Sequence, residues 1–452
     1  IRNSKEKTFI LGLTPCLPPA KNVSQGLSFI VCTIILLNYE HWFFIHSPGR
    51  PLLKERKSVM FDKISQFSFP TQIAFGPGAR KLLPEHLKNL GIGKPLIVTD
   101  PGLKNTDVLA AIEDVLEESG IPFNVFSEVQ ANPYETDVGK ALKSFTAGSC
   151  NGVIGLGGGS PLDVAKVVPV LAANEGPLSR YDVSTGGNLQ IKGPLPPVIT
   201  IPTTSGTGSE VGRCSVITSA SLKRKYMVCN PLMMPRQAVL DPELVVGLPP
   251  ALTAYTGMDA LTHNIEAFTV EDFHPMCDAI ALKGIEFVAD YLERAVKNPN
   301  DIEARGYMMM AAMMGAVAFQ KDLGAAHSLA HALSSVCGMQ HGLANALCLI
   351  PVMRFNLEIS APKYAEIARC FGINTFVMTE KEAAEKAIDA VEDLIAHIGI
   401  PTCLAEAGVE ESDLPQLCEK AYEDSCHLTN PRSCSQEDLM RLYQQAYGKK
   451  TR

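Results

Sequence analysis

The chain has 452 residues, 46% of them hydrophobic and 19% charged, with a formal net charge of −8. That composition excludes a disordered chain, and an acidic balance without a dense Lys/Arg stripe argues against a nucleic-acid surface. The length exceeds what one core normally fills, so two domains are expected.

Residues 1–59 differ in character from the rest of the chain. The apolar run 27–37 is too short to span a bilayer, which needs about 20 residues. No small-residue cleavage site separates it from the basic cluster Lys54-Glu-Arg-Lys57. The expectation is that 1–59 lies outside the fold, as an upstream extension rather than a membrane-proximal anchor, and that Met60 opens the folded region. No membrane partner is expected.

From Lys94 onward, short apolar strands alternate with amphipathic helices. The pattern predicts strands over 95–99, 122–126, 152–156 and 197–201, and helices over 107–119 and 136–147. Such alternation implies a parallel sheet covered on both faces. After Leu248-Pro-Pro250 the strand pattern nearly vanishes. Helices are predicted over 251–269, 277–294, 301–320, 325–337, 343–353 and 379–398. An α/β domain over 60–248 is therefore followed by an all-helical domain over 249–452. The Met-rich stretch 307–314 reads as helical core rather than a metal-binding stripe. Thirteen cysteines without CxxC spacing suggest reduced, buried thiols in the cytoplasm.

In the first half, Val153-Ile-Gly-Leu-Gly-Gly-Gly-Ser-Pro-Leu-Asp-Val-Ala-Lys166 runs a strand into glycines Gly157, Gly158 and Gly159, then into a helix. Ser160 is placed to cap that helix, Pro161 suits its first turn, and Asp163 comes three residues after the cap. Free N–H groups and the helix dipole make such a turn an anion site fit for a pyrophosphate. It is not the Rossmann fingerprint, because Ser160 stands where the third glycine belongs. A second strand-end loop, Thr203-Thr-Ser-Gly-Thr-Gly-Ser209, should face the same crevice. Asp100 also ends a strand. It suits either a ribose diol, favouring NAD over NADP, or the turn Pro101-Gly102.

The second half carries Asp259 and His263, one helical turn apart on one face. His327, His331 and His341 come later, in an apolar setting. On one straight helix His327 and His341 would stand about 21 Å apart. Gly338 is the natural place for the chain to turn back. Asp259, His263, His327 and His341 then form a complete shell for one divalent metal, with His331 a turn beyond His327.

These motifs, with Asp241-Pro-Glu-Leu244 and His341-Gly342, resemble the iron-dependent alcohol dehydrogenase family over about 60–450. The resemblance implies a dehydroquinate-synthase-like fold, a Rossmann-like α/β domain plus an all-α domain. It implies metal ligation by Asp259, His263, His327 and His341, and places His331 beside the substrate oxygen as a proton relay. It also implies NAD contacts from Asp100, Asn132, Gly157 to Ser160, Thr203, Thr204, Thr207, Ser209 and Lys225, and a homodimer or larger homo-oligomer. The implied reaction is NAD-dependent interconversion of a primary alcohol and its aldehyde. Iron rests on the resemblance, since Zn2+ binds such a shell more tightly. Two alternatives stay open: a metal- and NAD-dependent lyase of the dehydroquinate synthase type, and a purely structural metal.

Overall fold

In the computed structural model, residues 69, 71–220 and 224–448 are described. The expectation for 1–59 lies outside them. Strands β1 (Gln72–Phe75), β2 (Pro95–Val98), β3 (Asn124–Phe126), β4 (Gly152–Gly157), β5 (Val198–Pro202) and β8 (Gln237–Leu240) form one sheet in the order β1-β8-β5-β4-β2-β3. Every pairing in it is parallel. Side-chain alternation feeds both faces. Leu96, Val98 and Val153 pack toward helices α3 (Glu135–Ala147) and α4 (Gly159–Ala173). Ile97, Ile154 and Leu156 pack toward α1 (Leu83–Asn89) and α2 (Asp107–Glu118). The inner strands β2, β4, β5 and β8 are thus buried on both faces and largely apolar, while edge strand β1 is mostly exposed.

A two-stranded antiparallel hairpin, β6 (Cys214–Ser219) and β7 (Arg224–Cys229), stands apart from this sheet. Cys214 and Cys229 face each other across it and are joined by a disulfide. This corrects the expectation of reduced thiols for one pair, while nine other described cysteines are free. The pairing arises from sheet register, which local cysteine spacing does not reveal.

From Pro250 the described chain is helical: α5 (Pro250–Thr269), α6 (Pro275–Lys297), α7 (Ile302–Ala318), α8 (Ala325–Val336), α9 (His341–Cys370), α10 (Glu380–His397), α11 (Leu414–Glu423) and α12 (Gln436–Ala446). Met308, Met309 and Met313 are buried core residues of α7, as expected. The predicted helix over 343–353 proves to be the first part of a 30-residue helix, α9, running through Pro351 and Pro362. Each proline removes one intrahelical hydrogen bond. Buried Leu347, Leu349, Val352 and Met353 on either side of Pro351 tie the helix into the core and outweigh that loss. By length and composition α9 is the one described helix that matches a membrane span, yet 56% of its apolar window is buried inside the protein.

The two halves meet along a third apolar layer. Ala238 and Leu240 of β8 pack with Met309, Met313 and Ala316 of α7. Two glycines bring the 203–209 loop onto the helices. A Cβ on Gly206 would stand 2.9 Å from Thr256 of α5, and one on Gly208 would stand 2.2 Å from Ala316 of α7. Glycine is required at both positions for that approach.

Candidate active site

The order of strands reverses between β2 and β4, the switch point where open α/β sheets bind ligands. Asp100 at the end of β2 and the glycine turn at the end of β4 meet there. Gly157 has φ +143°, a conformation that L-residues avoid. A Cβ on it would lie 2.8 Å from Pro161 and 3.3 Å from Asp100 Oδ2. Asp100 takes the turn role weighed from sequence and leaves its second oxygen toward the crevice. Its Oδ1 accepts the N–H groups of Gly102 and Leu103 at 2.8 and 3.2 Å, and its Oδ2 faces the glycine turn.

The two loops face each other as expected. A Cβ on Gly158 would be 3.4 Å from Thr204, and one on Gly159 would be 2.9 Å from Thr207. Thr203 N–H donates to Gly157 O at 3.0 Å. Helix α4 begins two residues earlier than the cap expectation: Gly158 is its N-cap, and Ser160 lies inside the first turn. The Ser160 hydroxyl instead donates to Ala131 O at 2.6 Å. Asn132 is the next residue, its Oδ1 accepting from Lys225 Nζ at 2.9 Å.

Asp163 and Ser209 are committed to protein partners. Ser209 Oγ donates to Asp163 Oδ1 at 2.6 Å, and Val216 N–H donates to Asp163 Oδ2 at 2.9 Å. Buried Lys166, missed in the sequence, ties this knot. It bridges Asp163 at 3.1 Å and donates to Ser209 and to Cys214 O. Both residues therefore fix the shape of the hydroxyl loop.

In the helical half, α8 stops at Val336 and Gly338 takes φ +65°. Gln340 then caps α9, accepting Leu343 N–H at 2.8 Å. The turn-back read from Gly338 holds. Gly342 lets the first turn of α9 settle against α5, since a Cβ there would overlap Tyr255 O at 2.0 Å. His341 is thereby carried to Asp259.

The result is a cluster of donor atoms around one point. The Nε2 atoms of His341, His263 and His327 lie 3.5, 3.9 and 3.9 Å from Asp259 Oδ1. Ligand atoms about 2.1 Å from one tetrahedral cation stand about 3.4 Å apart. Those of Asp259, His263 and His327 lie within 4.8 Å of one another and could share an ion, and His341 approaches the group through Asp259. Asn345 Nδ2 reaches into the same space, 2.7 Å from Asp259 Oδ1 and 3.3 Å from Nε2 of both His327 and His341. Burial lowers the pKa of His327 and His341, and neighbouring imidazoles lower it further, against the pull of Asp259. Both hold well below the ordinary range, leaving the neutral form a metal requires. Burial would raise the Asp259 pKa, but the imidazoles and the Asn345 amide outweigh it and keep the carboxylate ionised.

Glu266, also missed, sits one turn beyond His263 on the same face. Its Oε2 lies 2.6 Å from His327 Nδ1, and its Oε1 accepts Ala326 N–H at 2.7 Å. Burial pushes its carboxyl up to about 7, opposed by those N–H groups. A carboxylate behind a histidine orients the ring and sharpens its donor nitrogen. His331 stands aside from the four. Its ring stacks on His341 with centroids 5.2 Å apart, and its Nδ1 lies 2.9 Å from Asp424 Oδ2.

Residues 70–242 match the family described as iron-containing alcohol dehydrogenase, and 253–447 match the C-terminal domain of the Fe-containing alcohol dehydrogenase family. The chain is 36% identical over 393 residues to choline dehydrogenase of Bacillus subtilis, covering 87% of this chain and 97% of that protein. It is 37% identical to NAD-dependent methanol dehydrogenase of Bacillus methanolicus, over 85% of this chain and all of that one. A crystal structure of 1,3-propanediol oxidoreductase superposes with a TM-score of 0.82 at 36% identity, covering 85% of this chain and 100% of the other. With both halves matched in order, the chain belongs to the iron-containing alcohol dehydrogenase family and is an oxidoreductase of that class.

Proposed function

We propose that this alcohol dehydrogenase interconverts a primary alcohol and its aldehyde, using NAD bound by the α/β domain up to residue 248 and a divalent metal bound by the helical domain from 249. Asp259, His263, His327 and His341 would hold the ion, Fe2+ by family and Zn2+ by affinity. When bound there, the ion supplies a Lewis acid for the substrate oxygen and the dinucleotide supplies the hydride carrier. The observation that carries this reading is the convergence of four donor groups beside the loop that abuts Thr256, three residues before Asp259.

The protein's own residues do the rest. N–H groups at the start of α4 receive the pyrophosphate, and Asp100 Oδ2 receives ribose hydroxyls. Thr203, Thr204 and Thr207 line the facing wall, while Asn132 and Lys225 close one side. Glu266 aims His327, and Asn345 orients Asp259. His331, with its side chain 36% exposed, moves the hydroxyl proton between substrate and water. His341 is 30% exposed, so the shell opens on that side, which supports catalysis over a closed structural site.

A primary alcohol is supported by the relatives, since choline, methanol and 1,3-propanediol all carry that group. Following NADH absorbance with a panel of short primary alcohols and aldehydes, beside metal analysis and reconstitution of apoprotein by each ion, tests the reading. Metal-dependent NAD reduction is expected. Metal retention with no redox turnover would favour the structural role, and conversion without net NADH change would favour the lyase. We place the enzyme in the cytoplasm as a homo-oligomer. Ile73 and Phe75, 43% and 48% exposed on edge strand β1, support pairing with another copy, which sedimentation equilibrium tests.

A further inference from the structure

His331 is held from behind by a carboxylate on a distant part of the chain. Asp424 lies just past α11, and its Oδ2 is 2.9 Å from His331 Nδ1. Its other oxygen is already committed. Oδ1 accepts Cys426 N–H at 2.9 Å and Ser328 Oγ at 2.8 Å. Ser328 Oγ in turn accepts His427 N–H at 2.8 Å, which leaves its own hydrogen for Asp424. Two donors therefore converge on Oδ1, and only Oδ2 is left for the imidazole.

We propose that Asp424 is a positioning residue that fixes the neutral His331 ring with its hydrogen on Nδ1, leaving Nε2, on the ring edge away from Asp424, as the acceptor. This rests on the relay reading of His331. A carboxylate accepts and does not donate, so the shared hydrogen belongs to Nδ1. The second nitrogen then carries a lone pair, the form a base needs. In alcohol oxidation Nε2 takes the hydroxyl proton as the O–H bond breaks, the hydride leaves carbon with its electron pair for the oxidised dinucleotide, and the C=O bond forms. The proton later passes to water at the exposed edge of the ring. Asp424 touches neither substrate nor cofactor. It acts only through orientation and tautomer, as partners behind ring nitrogens do in other sites.

The discriminating variant is Asp424→Asn. Cys426 N–H demands an acceptor at Oδ1, so the new amide must place its carbonyl there and its NH2 toward His331. The loop stays tethered while the tautomer reverses. Nitrogen-15 NMR of histidine-labelled, zinc-loaded protein reads the tautomer directly. We expect a protonated Nδ1 in the natural protein and a protonated Nε2 in Asp424→Asn. Turnover of 1,3-propanediol with NAD should fall roughly 10- to 100-fold, with KM, metal content and thermal midpoint nearly unchanged. Asp424→Asn combined with His331→Ala should be no slower than His331→Ala alone. A natural protein protonated at Nε2 would overturn the proposal, as would a reversed tautomer with full turnover or losses that multiply in the double variant. If His331→Ala itself keeps full turnover, the relay reading fails, and the spectra of the natural protein still decide the orientation Asp424 imposes.

Discussion

The glycine crevice and the histidine corner solve the problem of binding in opposite ways. In the crevice, polar side chains are largely spent on one another: Asp163 on Ser209 and Val216, Lys225 on Asn132, Asp100 Oδ1 on its own turn. What remains for a ligand is shape, backbone N–H and a few side-chain oxygens such as Asp100 Oδ2. In the corner, three imidazole nitrogens are turned toward one carboxylate at 3.5–3.9 Å, beyond hydrogen-bond distance. There, on the proposed metal reading, atom identity matters more than shape. The crevice should tolerate changes of chemistry and resist changes of volume, and the corner should do the reverse.

The strongest way to break this contrast is an isosteric change in the corner. Asp259→Asn keeps the volume and removes the charge that balances the cation. Metal content should drop below detection and turnover should fall by about 10^3-fold or more, the several kcal/mol a Lewis acid contributes. Turnover within tenfold of the natural protein would remove the site assignment. One layer out, Glu266→Gln again keeps the volume but turns an amide NH2 toward His327 Nδ1. Metal affinity should weaken by roughly 10- to 100-fold, measured by competition with a chelator. An unchanged affinity would mean that His327 is oriented by packing alone.

In the crevice the damaging change is a single methyl. Gly159→Ala sets a Cβ 2.9 Å from Thr207 Cγ2, so one loop must yield. Overpacking of this kind costs about 1–3 kcal/mol, and we expect the KM for NAD to rise about tenfold. Metal content and turnover at saturating NAD should stay near normal. Loss of metal in this variant would show that the two regions are one mechanical unit.

Much of both regions is readable in the chain, for different reasons. Glycine announces backbone need locally, so Gly157 and Gly338 mark turns that the structure contains. Helical spacing pairs Asp259 with His263, and the same rule extends to Glu266, whose role shows only once its burial against His327 is seen. Ser160 was misread because Gly158 already supplies the cap of α4. Asp424 leaves no signal at all. It reaches His331 across 93 residues through the packing of a loop on α8. Likewise, the predicted helix over 343–353 passes Pro351 but ends before Pro362, and only the core around α9 shows that it runs on to Cys370.

The mildest expected effect tests whether the crevice depends on position or only on stability. The disulfide joins Cys214 and Cys229, 15 residues apart, at the open end of the β6–β7 hairpin. Closing such a loop stabilises by up to about 3 kcal/mol, less where a hairpin ladder already restrains the chain. The hairpin is held in other ways too: Val216 N–H on Asp163, Lys166 on Cys214 O, and Thr218 N–H on Pro133 O at 2.7 Å. Cys229→Ser should therefore lower the thermal midpoint by a few degrees while the KM for NAD stays within about twofold. A KM that rises as far as in Gly159→Ala would mean that the disulfide sets the geometry of the Asp163–Lys166–Ser209 knot, and that crevice shape is held from outside the sheet.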